Sequence, residues 1–355
     1  QYSDNELRDL VETMRSLDIP LDVLIIDMDW HETWGLRKGK DTKRDEYGQR
    51  VGWTGYTWKQ QLFPSPENFF TWCKKQNLKT SLNLHPASGI MPYEEPYKRF
   101  IEAYGWKEEG KSVPYKMSDP KWADAYFDTV LGPIEKQGVD FWWLDWQQWV
   151  HSRYVKNLSN TFWLNHTFIH HMAETSKERP LIHHRWGGLG SHRYQTGFSG
   201  DTYIGWAALQ LLPWFTATAS NVGYGYWGHD IGGHTFKIRE SQTDPELYLR
   251  WLQYGVFTPI FKTHCTKKSA IERRIWQFPN HMLDMRATMH LRYALVPYIY
   301  AAARETFDTG VSICRPMYYS HPECDKAYNS PAQFMFGNDL LVAPIVSPVD
   351  KTTGL

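Results

Sequence analysis

Val139–Asp145 reads VDFWWLD, in which the short apolar run Phe141–Leu144 is closed by the Asp145 carboxylate, and it follows a helical stretch near Pro120–Lys136. A run this short, without polar alternation, predicts a strand buried on both faces, as parallel strands covered by helices are. The same unit recurs on either side. Toward the N-terminus lie Thr80–His85 (TSLNLH) after a helix near Pro66–Gln76, and Leu21–Met28 (LDVLIIDM) after a helix near Asp4–Ser16. Toward the C-terminus come Leu181–Arg185 (LIHHR) after a helix near Phe162–Lys177, then Thr196–Ser199, Gly223–His229, Thr258–His264 and Val311–Met317. Eight such candidates predict an α/β fold of the closed (β/α)8 TIM-barrel type. No GxGxxG follows the first strand, which weakens the open doubly wound alternative. Polar, Gly-bearing stretches at 31–65, 86–118 and 231–246 predict long insertions after strands. The barrel is expected over 1–332. Residues 333–355, with the strand-like run Asp339–Ile345, are expected to begin a C-terminal β domain cut off at the chain end. Flanking β domains of the same protein are expected to be missing from this chain.

The chain has 355 residues, with 39 Lys plus Arg and 39 Asp plus Glu. With no net charge there is no basic field to draw nucleic acid or an anionic membrane, and neither is expected as a partner. No apolar stretch is long enough to span a bilayer. The N-terminus does not read as a signal peptide, and an extracellular, periplasmic or lumenal location stays open. Cys73, Cys265, Cys314 and Cys324 form no CxxC pair, and a Cys314–Cys324 disulfide is a minor alternative. His170-His171 and His183-His184 invite a metal reading, but neighbours on a strand point to opposite faces, so no metal and no cofactor are expected. Asn157-Leu158-Ser159 and Asn165-His166-Thr167 match glycosylation acceptors and carry no weight without a known host. Aromatic content is high, with 18 Trp, 21 Tyr and 17 Phe. Several lie beside charged groups, as in Asp29-Trp30, Asp145-Trp146, Arg185-Trp186 and Trp227-Gly228-His229-Asp230. Flat rings next to polar hooks suit sugars, and this favours carbohydrate over a core role alone.

Polar residues fall at strand ends. Asp27, His85, Asp145 and Arg185 close the first four strands, Asp201 and Asp230 follow the fifth and sixth, and His264 ends the seventh. In a barrel these ends converge on the catalytic face. Carboxylates, an arginine and histidines without metal-ligand spacing fit glycoside hydrolysis. That reaction needs one carboxylate at the anomeric carbon and a second carboxyl group to protonate the leaving oxygen.

The segments carrying these residues resemble glycoside hydrolase family 31. Trp143-Leu144-Asp145 is similar to its W-x-D nucleophile strand, and Phe198-Ser199-Gly200-Asp201-Thr202 to its acid/base turn. Arg185 stands 16 positions before Asp201, as the family's substrate-binding arginine stands before its acid. Ile26–Trp30, Trp227–Gly233, Arg250–His264, Cys314–Met317 and Gly337–Pro344 resemble further family segments, in order along nearly the whole chain. The resemblance implies that Asp145 attacks the anomeric carbon and that Asp201 protonates the leaving oxygen and then activates water. It implies that Arg185 binds a sugar hydroxyl beside Asp145 and that Asp27, Asp230 and His264 hydrogen-bond the bound sugar. Trp143 and Trp227 would wall the pocket. His85 would be a sugar contact or a satisfied polar residue under a loop. A retaining enzyme would hold its two carboxyl groups about 5–5.5 Å apart.

The implied activity is a retaining, exo-acting α-glycosidase on an oligosaccharide or glycoconjugate. Where the family pattern continues D-M-N-E, this chain has Asp145-Trp146-Gln147-Gln148, and Phe198 and Ser199 also depart from the common acid turn. The DWQQ variant looks like a branch with α-N-acetylgalactosaminidase activity, with α-glucoside the other candidate substrate. A transglycosylase using the same carboxylates and an inactive sugar-binding barrel are the alternatives.

Overall fold

The first four apolar runs fold as short parallel strands side by side: β1 (Val23–Ile26), β2 (Lys79–Leu84), β3 (Phe141–Leu144) and β4 (Ile182–Arg185). Their register decides what faces what. Ile25 pairs with Ser81, Ser81 with Phe141, Asn83 with Trp143, and Trp143 with His183. Paired residues in a parallel ladder share a side, and residues two apart along a strand return to it. Asp27, His85, Asp145 and Arg185 therefore lie on the side of Ser81, Asn83 and Trp143, at the C-terminal ends of the strands. The opposite side carries Leu24, Ile26, Leu82, Leu84, Trp142 and Leu144, all buried.

The computed structural model describes residues 2–33, 44, 51–145, 149–185, 189–236, 242–350 and 352. The chain packs as two units, Gln1–Arg15 with Leu21–Arg185, and Ser16–Pro20 with Trp186–Leu355. In the first unit, α1 (Asp4–Ser16) has acidic residues in its first turn and Arg15 in its last, which matches the helix dipole. Helix α2 (Pro66–Lys75) opens on Pro66, whose missing N–H costs nothing there. Helix α3 (Tyr97–Tyr104) lies within the 86–118 stretch, where Ile90 also bridges Val113. That stretch is therefore a structured element, and Gly89 permits it. Gly89 sits at φ +68°, and a Cβ there would meet the Val113 carbonyl. The 120–136 helix is α4 (Pro120–Tyr126) and α5 (Gly132–Gln137), joined by a π turn at Phe127–Leu131. Helix α6 (Asn160–Thr175) is capped by the Ser159 hydroxyl, which accepts from the Phe162 amide.

Aromatic residues build much of this unit's core. Trp30 and Trp58 pack edge-on at 4.8 Å, and Phe63, Phe69 and Phe70 continue the cluster. Three of these buried indoles have hydrogen-bond partners: Trp30 donates to the Asn83 carbonyl, Trp58 to Gln137 and Trp142 to Glu135. This corrects the carbohydrate reading of Asp29-Trp30, because Trp30 is fully buried. Trp146 and Trp186, the neighbours of Asp145 and Arg185, lie outside the described residues. So does much of the 31–65 stretch, along with 237–241 of the third expected insertion.

In the second unit, β5 (Gly197–Phe198) pairs in parallel with β6 (Trp227–Gly228), and β7 (Asp230–Ile231) with β8 (Lys262–Thr263). Helix α7 (Trp206–Thr218) follows the turn that carries Asp201. Helix α8 (Pro245–Val256) is capped by Asp244, which accepts from the Glu246 and Leu247 amides. Helices α9 (Met282–Ala294) and α10 (Val296–Thr309) complete the large helices. Buried Arg292 donates to the carbonyls of Val256, Thr258 and Pro259, satisfying acceptors at and beyond the end of α8.

One strand expectation is corrected. The Val311–Met317 run, read as the eighth barrel strand, forms β9 (Cys314–Pro316), which pairs antiparallel with β10 (Phe334–Phe336). β10 pairs antiparallel in turn with β11 (Leu340–Val342). Arg315 locks this sheet: it donates to Ser312 and Asn338 and ion-pairs Glu305 at 3.2 Å. The family-like segments around Arg315 and Asn338 thus serve packing. Cys314 and Cys324 are both free thiols, so the considered disulfide is not formed.

Candidate active site

Strand β3 delivers Asp145 to the strand ends with its amide donating to the Leu84 carbonyl at 3.1 Å. Its carboxylate is gripped at both oxygens. Arg185 Nη1 donates to Oδ1 at 3.1 Å, and His85 Nε2 lies 3.1 Å from Oδ2. All three residues are buried. The register explains the convergence, since His85, Asp145 and Arg185 each stand just past or at the end of adjacent strands on the same side. An arginine this close favours the ionised carboxylate, the state a nucleophile requires.

Other expected residues of this unit are placed differently. Asp27 is exposed, and its Oδ1 accepts from the Met28 amide at 2.7 Å, capping a single 3-10 turn at Met28–Trp30. Trp143 is buried on the Asp145 side of the sheet, with its ring 6.2 Å from that of His183. Gln147 and Gln148, which set the branch expectation, lie outside the described residues.

In the second unit Asp201 follows β5, and its side chain is 40 % exposed, with His234 Nδ1 at 3.6 Å from Oδ2. The turn that carries Asp201 is fastened to the segment after β7. The Thr202 carbonyl accepts from the His234 and Thr235 amides, and the Ile204 amide donates to Thr235. Gly233, at φ +76°, makes this approach possible, because a Cβ there would strike Ile204. Arg273 holds the same turn by donating to the carbonyls of Gly232 and Gly233. The departure at Ser199 acquires a reason: its hydroxyl partners His229 Nδ1 at 2.8 Å, while His229 Nε2 meets Thr216 at 2.7 Å. Burial pushes His229 down to about 3, so the ring is neutral.

Asp230 is fully buried and ion-paired to Lys262 at 2.8 Å. Burial alone would raise its pKa, but Lys262, His264 and His234 outweigh that and hold it below the ordinary value. The Lys262 ammonium also lies 3.9 Å from the centre of the Phe198 ring. His264 is half-buried, with its ring 5.4 Å from that of His234. Trp227 is not brought to this cluster. It alternates with Gly228 along the strand and packs against Phe215 of α7 and against His229. Its expected place in the pocket wall is corrected to the helix side.

Three residues of these clusters were not singled out in the sequence. Lys262 carried a usable signal, as a lone cation inside an apolar strand two residues before His264. His234 and Trp53, whose ring meets that of His85 at 5.3 Å, carried none, since both come from loops.

The chain matches the model of the glycosyl hydrolases family 31 TIM-barrel domain over residues 1–302, and that of the glycosyl hydrolase family 31 C-terminal domain over 310–354. It is 25% identical to an α-xylosidase of Saccharolobus solfataricus over 98% of this chain and 47% of that protein. It is 24% identical to human neutral α-glucosidase C over 94% of this chain and 38% of that one. The chain therefore spans about half or less of the curated relatives it matches. Among solved structures, a family 31 dextranase of Flavobacterium johnsoniae superposes with a TM-score of 0.75 at 22% identity, over 97% of this chain and 44% of that one. A family 31 α-xylosidase of Xanthomonas citri gives 0.77 at 22% identity, over 97% and 40%. The model match spans most of the chain, and the fold likeness agrees with it: this chain belongs to glycosyl hydrolase family 31 and carries that family's TIM-barrel domain.

Proposed function

We propose that the protein is a retaining, exo-acting α-glycoside hydrolase with Asp145 as nucleophile and Asp201 as acid/base. The observation that carries this reading is the Asp145 carboxylate, buried at a strand end and held between Arg185 and His85. In the first step a carboxylate oxygen of Asp145 bonds to the anomeric carbon as the glycosidic C–O bond breaks. The departing oxygen keeps the electron pair and takes the proton of Asp201. In the second step Asp201, now a carboxylate, takes a proton from water. The water oxygen bonds to the anomeric carbon and Asp145 leaves as carboxylate. Arg185, Asp27 and His264 would each address sugar hydroxyls, and Trp143 would wall the pocket. Asp230 enters through Lys262, whose ammonium it holds against Phe198.

For the substrate we favour an α-linked hexoside, either α-N-acetylgalactosaminide or α-glucoside. The test is a turnover panel of nitrophenyl α-glucoside, α-galactoside, α-xyloside and α-N-acetylgalactosaminide on the full-length polypeptide. The first-formed anomer is read by NMR. Turnover of the N-acetylgalactosaminide alone supports the DWQQ branch, and turnover of the glucoside alone refutes it. An inverted first product would sink the double-displacement reading, and silence on all four would sink the substrate class.

A further inference from the structure

Asp145 is held at both oxygens by partners of different kinds. Arg185 on Oδ1 is a permanent cation with five N–H donors that can be shared among acceptors. His85 on Oδ2 is a ring only 2 % exposed, and its Nδ1 is buried without a hydrogen-bond partner among the described residues. A carboxylate only accepts, so Nε2 carries the proton and donates it to Oδ2. The ring is braced from behind. Trp53 packs edge-on against it, and the Thr54 hydroxyl donates to the His85 carbonyl while accepting from the Ser88 amide at 3.0 Å. The segment bearing Trp53 and Thr54 is itself fastened by Glu94, which accepts from the Tyr56 amide at 3.1 Å and from the Thr57 hydroxyl. A ring fixed this firmly, with one partnered nitrogen, cannot follow a carboxylate that rotates.

We propose that His85 is a positioning residue for the nucleophile: its Nε2–H fixes the rotation of the Asp145 carboxylate and reserves Oδ2 as the oxygen that stays doubly bonded in the glycosyl ester. This rests on Asp145 being the nucleophile. Oδ1 is then the atom that bonds to the anomeric carbon. The leaving oxygen departs with its electron pair and takes the Asp201 proton. Attack by Oδ2 would instead cost the buried ring its one hydrogen bond. A hydrogen bond to the oxygen that becomes the ester carbonyl survives the step. The assignment differs from a sugar contact, in which His85 would touch substrate and set KM.

Charged or titratable groups facing the pair include Arg185 and, beside His85, His31. Burial holds His31 down to about 4, so it is neutral above that pH. The experiment compares His85→Leu, His85→Gln and Asp145→Ala with the wild type in the full-length polypeptide, on the aryl α-glycoside that the wild type turns over best. Melting temperatures are measured alongside. His85→Leu is expected to lower kcat about 10- to 100-fold and leave KM within about twofold. It should also move the acidic limb of kcat/KM upward by about one pH unit, because a lost hydrogen bond disfavours the carboxylate. His85→Gln keeps an N–H donor and should restore most of kcat and the position of the limb. A raised KM with an unmoved limb overturns the proposal, as does a His85→Leu enzyme equal to wild type. If His85→Leu does not fold, His85→Gln decides: a limb at the wild-type position supports the proposal and a shifted limb overturns it. Wild-type turnover by Asp145→Ala would sink the nucleophile reading itself. An inert Asp145→Ala beside an unaffected His85→Leu would sink only the positioning role.

Discussion

Asp145 and Asp201 sit in opposite kinds of surroundings. Asp145 is buried, and each of its oxygens has a partner at 3.1 Å. Asp201 is 40 % exposed on its side chain, with a histidine nitrogen at 3.6 Å. The difference matches what the two proposed roles require. A nucleophile must stay ionised and keep one orientation, which an arginine and a fixed N–H donor provide. An acid that becomes a base must give up and regain a proton within each turnover, which solvent access and a loose partner allow. Two more carboxylates extend the comparison. Asp230 is fully buried against one cation, while Glu94 is buried and accepts hydrogen bonds from Tyr56 and Thr57. Burial is thus common to three of the four, and the partner decides the charge state.

The sharpest way to break the comparison is at Asp145. Asp145→Ala should lower kcat by about 10⁴-fold or more on every substrate, in a chain that still folds. Steady-state kinetics that find only a tenfold loss would remove the contrast with Asp201. Asp201→Ala should act selectively, with a loss of about 10²- to 10⁴-fold on alkyl glycosides and far less on nitrophenyl glycosides, which need little protonation. Equal losses on both leaving-group types count against Asp201 as the acid.

Lys262→Met sharpens the role of the partner. It leaves the Asp230 carboxylate buried without its cation, and the expected cost is about 3–5 kcal/mol by urea unfolding at neutral pH. Because the folded-state pKa of Asp230 is held below its ordinary value, the stabilisation is present above the carboxylate range. It is lost as pH falls through the folded pKa. The wild-type and variant stabilities should therefore converge on acidification. A constant gap down to low pH would mean that Lys262 acts through packing alone.

The smallest effect is expected at Glu94, where the sign reverses. Burial, outweighing hydrogen bonds from Thr57 and Tyr56, pushes this carboxyl up from 4.5 to about 7. The folded chain thus keeps a proton that the unfolded chain has lost, and stability falls as pH rises through that window. Glu94→Gln keeps an acceptor for both donors and removes the titration. It should gain on the wild type across this window, by up to about 3 kcal/mol above pH 7. Parallel pH–stability curves for the two proteins would show that Glu94 ionises freely in the folded state.

Much of this molecule was legible because strands and helices announce themselves locally. α1 runs from Asp4 to Ser16 as the amphipathic pattern required, and the runs ending near His85, Asp145 and Arg185 became adjacent parallel strands. Period and strand length are properties of the chain itself, so the carboxylate that ends VDFWWLD could be placed at a strand end from the sequence. The family-like order of segments could be read for the same reason.

Partnership could not be read, because it depends on what the fold brings to the same point. Lys262 and Asp230 lie 32 positions apart in the sequence and 2.8 Å apart in space. Whether the Cys314–Pro316 strand joins the parallel set or turns antiparallel against β10 is likewise decided by its partner, since so short a buried strand fits either ladder. Trp227 and Trp143 look equivalent in the sequence, each near an acidic residue. The strand's two-residue alternation sends one toward α7 and leaves the other on the side of Asp145. The sequence by itself determined which residues carry charge and where the strands end. Only the tertiary structure decided which charges meet, because hydrogen bonds and ion pairs act over a few ångströms, a distance that sequence separation does not measure.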